Sequence, residues 1–352
     1  MARETTRLLS EKEEWIAIDY ARIFCVLLIV SIHLPVFASV DMFLSHYFNH
    51  VICRIAVPFF FISSGFFVAD KIGVKGSYKY VCRVLTLYLV YNIIYIPQSL
   101  YGLALRHEDI NYIFDTIKGL VVVGGYMQLW YLISLAFAVF ALQLMVSRLR
   151  LNDKAIACLG AVLYLIGVIG NSYKEVLTSF DITLITHYYA FFGTMRNGLF
   201  FGIPFVAAGY LIKKNSFRIK NIGYLKWTIV FVICMLIESS VIYRYFNIGE
   251  KDMMFFTFPA SVCFFLTVCF INQNKEKTEW IGKKCREYSV TIFGMHILVY
   301  FYLNRYLIDN GFYMSEHTVI QYILVVSATL VLSAVIIEMS KYKPLRWMKV
   351  FY

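Results

Sequence analysis

Charge is what this chain has least of. Only 16% of its 352 residues are Asp, Glu, Lys or Arg, where soluble domains carry about a quarter. With 60% hydrophobic and 18% aromatic residues beside it, that deficit excludes an ordinary soluble domain. Proline is scarce as well, at six, and no low-complexity tract occurs, which argues against disorder. The eight cysteines lie singly, and no C-x-x-C pair is present. That pattern speaks against a zinc site or any other metal centre and against a disulfide framework, and leaves small core residues as the plain reading. No small-residue cleavage site follows the first apolar run, so "MARETTRLLSEKEEW" does not read as a signal peptide. Residues 1–15 are expected to be a cytosolic amphipathic leader.

What the chain has instead is apolar runs long enough to span a bilayer. Ten are expected: 16–36, 51–70, 80–104, 124–147, 155–171, 189–212, 227–246, 254–272, 288–303 and 318–340. If the N-terminus is cytosolic, one set of alternate connections carries 24 Lys and Arg and the other 6. The positive-inside rule then puts both termini in the cytosol. The net charge of +11 is thereby a topology signal and gives no reason to expect nucleic acid. No connection is long enough for a soluble domain. The expectation is an all-α polytopic membrane protein: one domain over 16–340 and a basic cytosolic tail over 341–352. No convincing internal repeat supports an inverted-repeat transporter.

Ionisable groups inside spans are costly and tend to face a cavity or the bundle interior. In "IDYARIFCVLLIVSIHL", Arg22 and His33 are eleven residues apart. That is close to three turns, so both lie on one helix face, roughly 16 Å apart along the axis. Asp19 sits one turn before Arg22 and either pairs with it at the interface or joins the same stripe. Arg54 opens the second run on the outer side, where Pro58 and Ser63-Ser64-Gly65 are expected to interrupt the helix. Lys79 and Arg83, four apart at the cytosolic mouth, suit a phosphorylated ligand or serve topology alone. Trp130 and Tyr131 fit an interfacial aromatic belt. Arg196 lies several residues into the sixth run and calls for an internal partner or an anionic ligand. His296 stands mid-span in the ninth run, as a packing histidine or as a second polar group of the same cavity.

In order along the chain, these segments resemble the membrane-bound acyltransferase-3 family of bacteria. Arg22, ten intervening residues and His33 match its arginine-x10-histidine hallmark. "VPFFFISSGFFV", "KYVCR", "LWYL" and "RNGLFFGIPFVAAGYLI" match later segments. Gln128 departs from the pattern, standing where many members have His. The resemblance implies transfer of an acyl group, usually acetyl, from cytosolic acyl-CoA to a hydroxyl of a cell-envelope glycan, in the bacterial cytoplasmic membrane. It implies no bound cofactor, with acyl-CoA as co-substrate. His33 would be the catalytic base, and Arg22 would bind the donor or stabilise developing negative charge. Lys79 and Arg83 would hold the phosphates of CoA. Asp19, Arg54, Trp130, Tyr131, Arg196 and His296 would line the cavity or meet the acceptor. A similar membrane domain is fused to the serine racemases of vancomycin resistance. On that alternative, the chain binds or transports an amino acid such as serine, and Arg54 or Arg196 takes its carboxylate.

Overall fold

The computed structural model describes residues 15–106, 119, 124–174, 183–246, 252–271 and 279–352. The cytosolic leader expected at 1–15 lies almost wholly outside them. The described residues form helices joined by turns. Seven helical stretches, Met42–Lys71 among them, are long and apolar enough to cross a membrane. The helices are α1 (Ile16–His33), α2 (Met42–His50), α3 (Ala56–Val68), α4 (Lys75–Arg106), α5 (Trp130–Ser147), α6 (Asp153–Ser172), α7 (Thr183–Phe192), α8 (Ile203–Lys214), α9 (Tyr224–Phe246), α10 (Thr257–Phe270), α11 (Glu279–Asp309) and α12 (Thr318–Met339). The protein is therefore an all-α polytopic membrane protein. Its outer faces agree: on α9, Ile229, Val230, Ile233 and Ile237 are exposed, and on α12 so are Ile320, Ile323, Val331 and Val335. Such a surface suits lipid and would be a liability in water.

Two expected spans are built differently. The second is not interrupted at Pro58 or at Ser63–Gly65, because α3 runs through both. Pro58 lies in the first turn, where a missing N–H costs nothing. Gly65 serves packing instead: a Cβ there would lie 2.1 Å from the Val206 carbonyl oxygen of α8. Reciprocally, a Cβ at Gly209 would lie 2.0 Å from the Ile62 oxygen of α3. The two helices thus cross with their backbones nearly touching, which only small residues allow. The sixth expected span, 189–212, is broken. Helix α7 ends at Phe192, Gly193 takes a φ of +69°, and a π-helical turn over Gly198–Gly202 leads into α8. Asn197 caps that turn by accepting the Leu199 and Phe200 N–H groups, so the break leaves Arg196 at a joint with its backbone satisfied.

Around the crossing, aromatic rings fill the core. Phe59, Phe61, Phe66, Phe205 and Phe265 are all fully buried. After α12 a 3₁₀ helix, Lys343–Phe351, folds back so that the Phe351 carbonyl accepts from the Tyr91 hydroxyl at 3.0 Å.

Candidate active site

The buried charges gather in two groups, one at each end of α1. The first group is at the end that the Lys and Arg distribution assigns to the cytosol. Asp19 is 2% exposed and pairs with the Arg286 guanidinium of α11. Its other oxygen is 3.5 Å from Arg22. Arg22 also donates to the Ser63 hydroxyl of α3 at 2.9 Å and lies over the Phe67 ring at 5.2 Å. Asp19 therefore joins α1 to α11 as well as to its own helix neighbour. Arg22 is held from two helices. The hydroxyls of Tyr80 and Tyr131 are its electrostatic neighbours. Lys79 and Arg83, on either side of Tyr80 on α4, are exposed; Arg83 donates to the Tyr352 carbonyl at 3.0 Å.

The second group surrounds His33, the last residue of α1. Its half-buried imidazole faces that of His296, with centroids 5.4 Å apart and planes at 39°. His296 is fully buried on α11. Its Nδ1 lies 2.9 Å from the Ile292 carbonyl oxygen. A carbonyl only accepts, so Nδ1 carries the proton and Nε2 of the neutral ring keeps a bare lone pair. That Nε2 is buried with no hydrogen-bond partner. Arg54, Arg196 and Asp252 complete the electrostatic surroundings of His33.

Asp252 is the hub of this group. It is 4% exposed and pairs with Arg54 on one oxygen and with Arg196, at 2.6 Å, on the other. The Arg196 guanidinium is also stacked over Trp130 at 4.7 Å, a cation–π contact. Arg54 further meets His50 Nδ1 at 3.1 Å. Asp252 lies in the segment before α10. Burial pushes its carboxyl up, but Arg54 and Arg196 outweigh burial and hold it below the ordinary carboxylate value. The segment is irregular and buried over residues 252–254, a backbone state that needs outside partners. Asn171 accepts the N–H groups of Asp252 and Met253. Tyr164 donates to the Met254 carbonyl at 2.7 Å. Glu238 accepts from Phe255 N–H at 2.8 Å and Phe256 N–H at 3.1 Å.

Aromatic rings bridge the two groups. Tyr131 contacts Phe61 at 4.7 Å and Phe293 at 5.4 Å, and Phe293 contacts His296 at 6.5 Å. Of the sequence-predicted site residues, Asp19, Arg22 and Tyr131 belong to the first group, His33, Arg54, Trp130, Arg196 and His296 to the second, and Lys79 and Arg83 stand exposed on α4. Sequence reasoning missed Asp252, Arg286 and Ser63. For Asp252 a signal existed, since a buried Arg196 required an anion and Asp252 is the acid that opens "DMMFF". Arg286 had none, because it counts as one more cytosolic cation until the fold brings it to Asp19.

The family model described as an acyltransferase domain, the acyltransferase-3 type, matches residues 15–338. Among curated proteins, the chain is 24% identical over 338 residues to an amino-acid racemase of Enterococcus faecalis, covering 92% of this chain and 46% of the relative. It is 29% identical over 269 residues to another amino-acid racemase of that organism, covering 73% of the chain and 36% of the relative. It is 26% identical over 325 residues to a serine/alanine racemase of Enterococcus gallinarum, covering 89% and 44%. The chain spans less than half the length of these relatives. No solved structure matches.

Proposed function

The chain belongs to the acyltransferase-3 family, and we propose that it moves an acyl group, acetyl in the first instance, from cytosolic acyl-CoA to a hydroxyl on the outer side of a bacterial cytoplasmic membrane. A cell-envelope glycan is the acceptor class. The observation that carries this reading is the paired imidazoles of His33 and His296 at the far end of a helix whose near end holds Arg22.

The chemistry follows from the placement. Lys79 and Arg83 meet the phosphates of CoA at the exposed mouth, as charge-assisted donors. Arg22, roughly 16 Å from His33 along the helix, is too far away to touch a carbonyl that His33 serves. Its role is to hold the donor on its way in, with Ser63 and the Tyr80 and Tyr131 hydroxyls beside it. At the outer end, an imidazole takes the proton of the acceptor hydroxyl as its oxygen attacks the thioester carbon. The tetrahedral oxyanion then collapses, expelling the CoA thiolate, which takes up a proton. Arg54 and Arg196 are the cations close enough to favour that oxyanion.

Acetyl-CoA binding and turnover by the detergent-purified protein test this reading, with His33→Ala and Arg22→Ala alongside. Absent binding, or full turnover in His33→Ala, overturns it.

The names of the relatives favour a second reading, in which the chain is the membrane part of a racemase-type protein and binds or carries an amino acid. In that reading Arg54 or Arg196 takes the amino acid's carboxylate beside Asp252, with which both are paired. Uptake or equilibrium binding of labelled serine separates the two.

A further inference from the structure

The turn of α11 that carries His296 is not closed by its own backbone alone. The Tyr95 hydroxyl of α4 donates to the Gly294 carbonyl at 2.9 Å and accepts from the Leu298 N–H at 3.2 Å. Those two groups, four residues apart, are the ones an uninterrupted α-helix pairs with each other. His296 lies midway between them.

Every hydrogen-bonding atom of the bridging hydroxyl is satisfied. Gln128 Nε2 also donates to the Tyr95 oxygen, at 2.6 Å. A phenol oxygen has one proton and two lone pairs. With N–H donors from Gln128 and Leu298 on the lone pairs, the proton has only Gly294 left to address. Gln128 therefore sets the hydroxyl rotor. Tyr126 stacks on the Tyr95 ring at 4.3 Å and 20°. One turn earlier on α4, Tyr91 presses against Gly294 so closely that a Cβ there would lie 1.8 Å from its ring. Tyr95 and Gln128 are each 1% exposed.

We infer that Tyr95, oriented by Gln128, is a positioning residue that clamps the α11 turn and so aims His296 at His33. The inference rests on the acyltransferase reading for its kinetic consequence alone. The geometry it claims is testable without turnover. Tyr95→Phe keeps the ring, the Tyr126 stack and the volume. It removes the hydroxyl that ties Gly294 and Leu298 to α4, and with it the hold on the turn that aims His296. In ¹⁵N-histidine-labelled protein, with His296 resonances assigned through His296→Gln, Tyr95→Phe is expected to shift the His296 ring nitrogens. It is also expected to lower kcat roughly 10- to 100-fold, the cost of a misplaced catalytic group, with KM for acetyl-CoA unchanged. Gln128→Met, which frees the rotor without removing the hydroxyl, gives a smaller change of the same kind and stands in if Tyr95→Phe does not fold. A role in packing alone lowers thermal stability and leaves kcat and the His296 resonances in place; that result overturns the inference, as does a fall in kcat with those resonances unmoved. If wild-type protein turns over no acetyl-CoA, the acyltransferase reading fails, and the His296 resonances alone decide whether the bracket holds.

Discussion

His33 on α1 and His296 on α11 face each other at 5.4 Å between ring centroids, and His296 presents a bare, buried Nε2. One imidazole alone can take a proton. On the proposed reading, one ring takes the acceptor's proton and its neighbour passes it on, which clears the base for the next turnover.

Replacing either histidine with Ala is therefore expected to lower kcat by about 10²- to 10⁴-fold, the usual contribution of a positioned acid or base. The double variant should be little worse than the worse single one, because groups acting as a unit do not add. Acetyl-CoA turnover in the four proteins checks both statements. Additive losses would mean that the two rings work separately.

Asp252→Asn removes the only carboxylate that Arg54 and Arg196 share among the described residues. Stranding two largely buried guanidiniums should cost about 3 kcal/mol or more, read as a fall in melting temperature in detergent. The pH dependence has a definite sign. The folded-state pKa of Asp252 lies below its ordinary value of 3.8, so its stabilisation is fully present above pH 3.8 and is lost as pH falls through the lower folded value. The gap in stability between wild type and Asp252→Asn should be constant near neutrality and narrow only in strong acid.

Lys79→Ala and Arg83→Ala should raise KM for acetyl-CoA while leaving kcat at saturation intact. Both side chains are exposed, so the effect is roughly two- to fivefold, the range of an exposed ion pair, and it should fade at high salt. A fall in kcat without a change in KM would place these residues outside donor binding.

Gly65→Ala and Gly209→Ala each drive a methyl into the facing backbone of α8 or α3, at 2.1 and 2.0 Å. Neither neighbour is a movable side chain end, so the helices must separate. Both variants should give little monodisperse protein on size exclusion, whereas Gly73→Ala, where a Cβ would meet no atom within 4 Å, should behave far better despite its strained φ of +88°.

Much of this protein was legible in its order of residues. Burying charge in lipid is so costly that apolar runs and the placement of Lys and Arg announce an all-α membrane protein. The spacing of Arg22 and His33 follows from the geometry of one helix. Local reasoning went astray where a residue answers to a distant neighbour. Ser63 and Gly65 looked like a helix break, and are respectively a partner for Arg22 and a seat for α8. The sixth span looked continuous, but Gly193 and Asn197 break it and set Arg196 at the joint.

The sequence by itself determined the class of the fold, the positions that carry unusual charge and their distribution along each helix, because periodicity and the cost of desolvation act over a few residues. Only the tertiary structure decided the pairings: Asp19 with Arg286, Arg54 and Arg196 with Asp252, His33 with His296, and Tyr95 within the turn of α11. Each joins segments that have no fixed spacing in the chain. Which charge meets which is set by how the helices cross, and that depends on contacts as fine as the missing Cβ atoms of Gly65, Gly209 and Gly294.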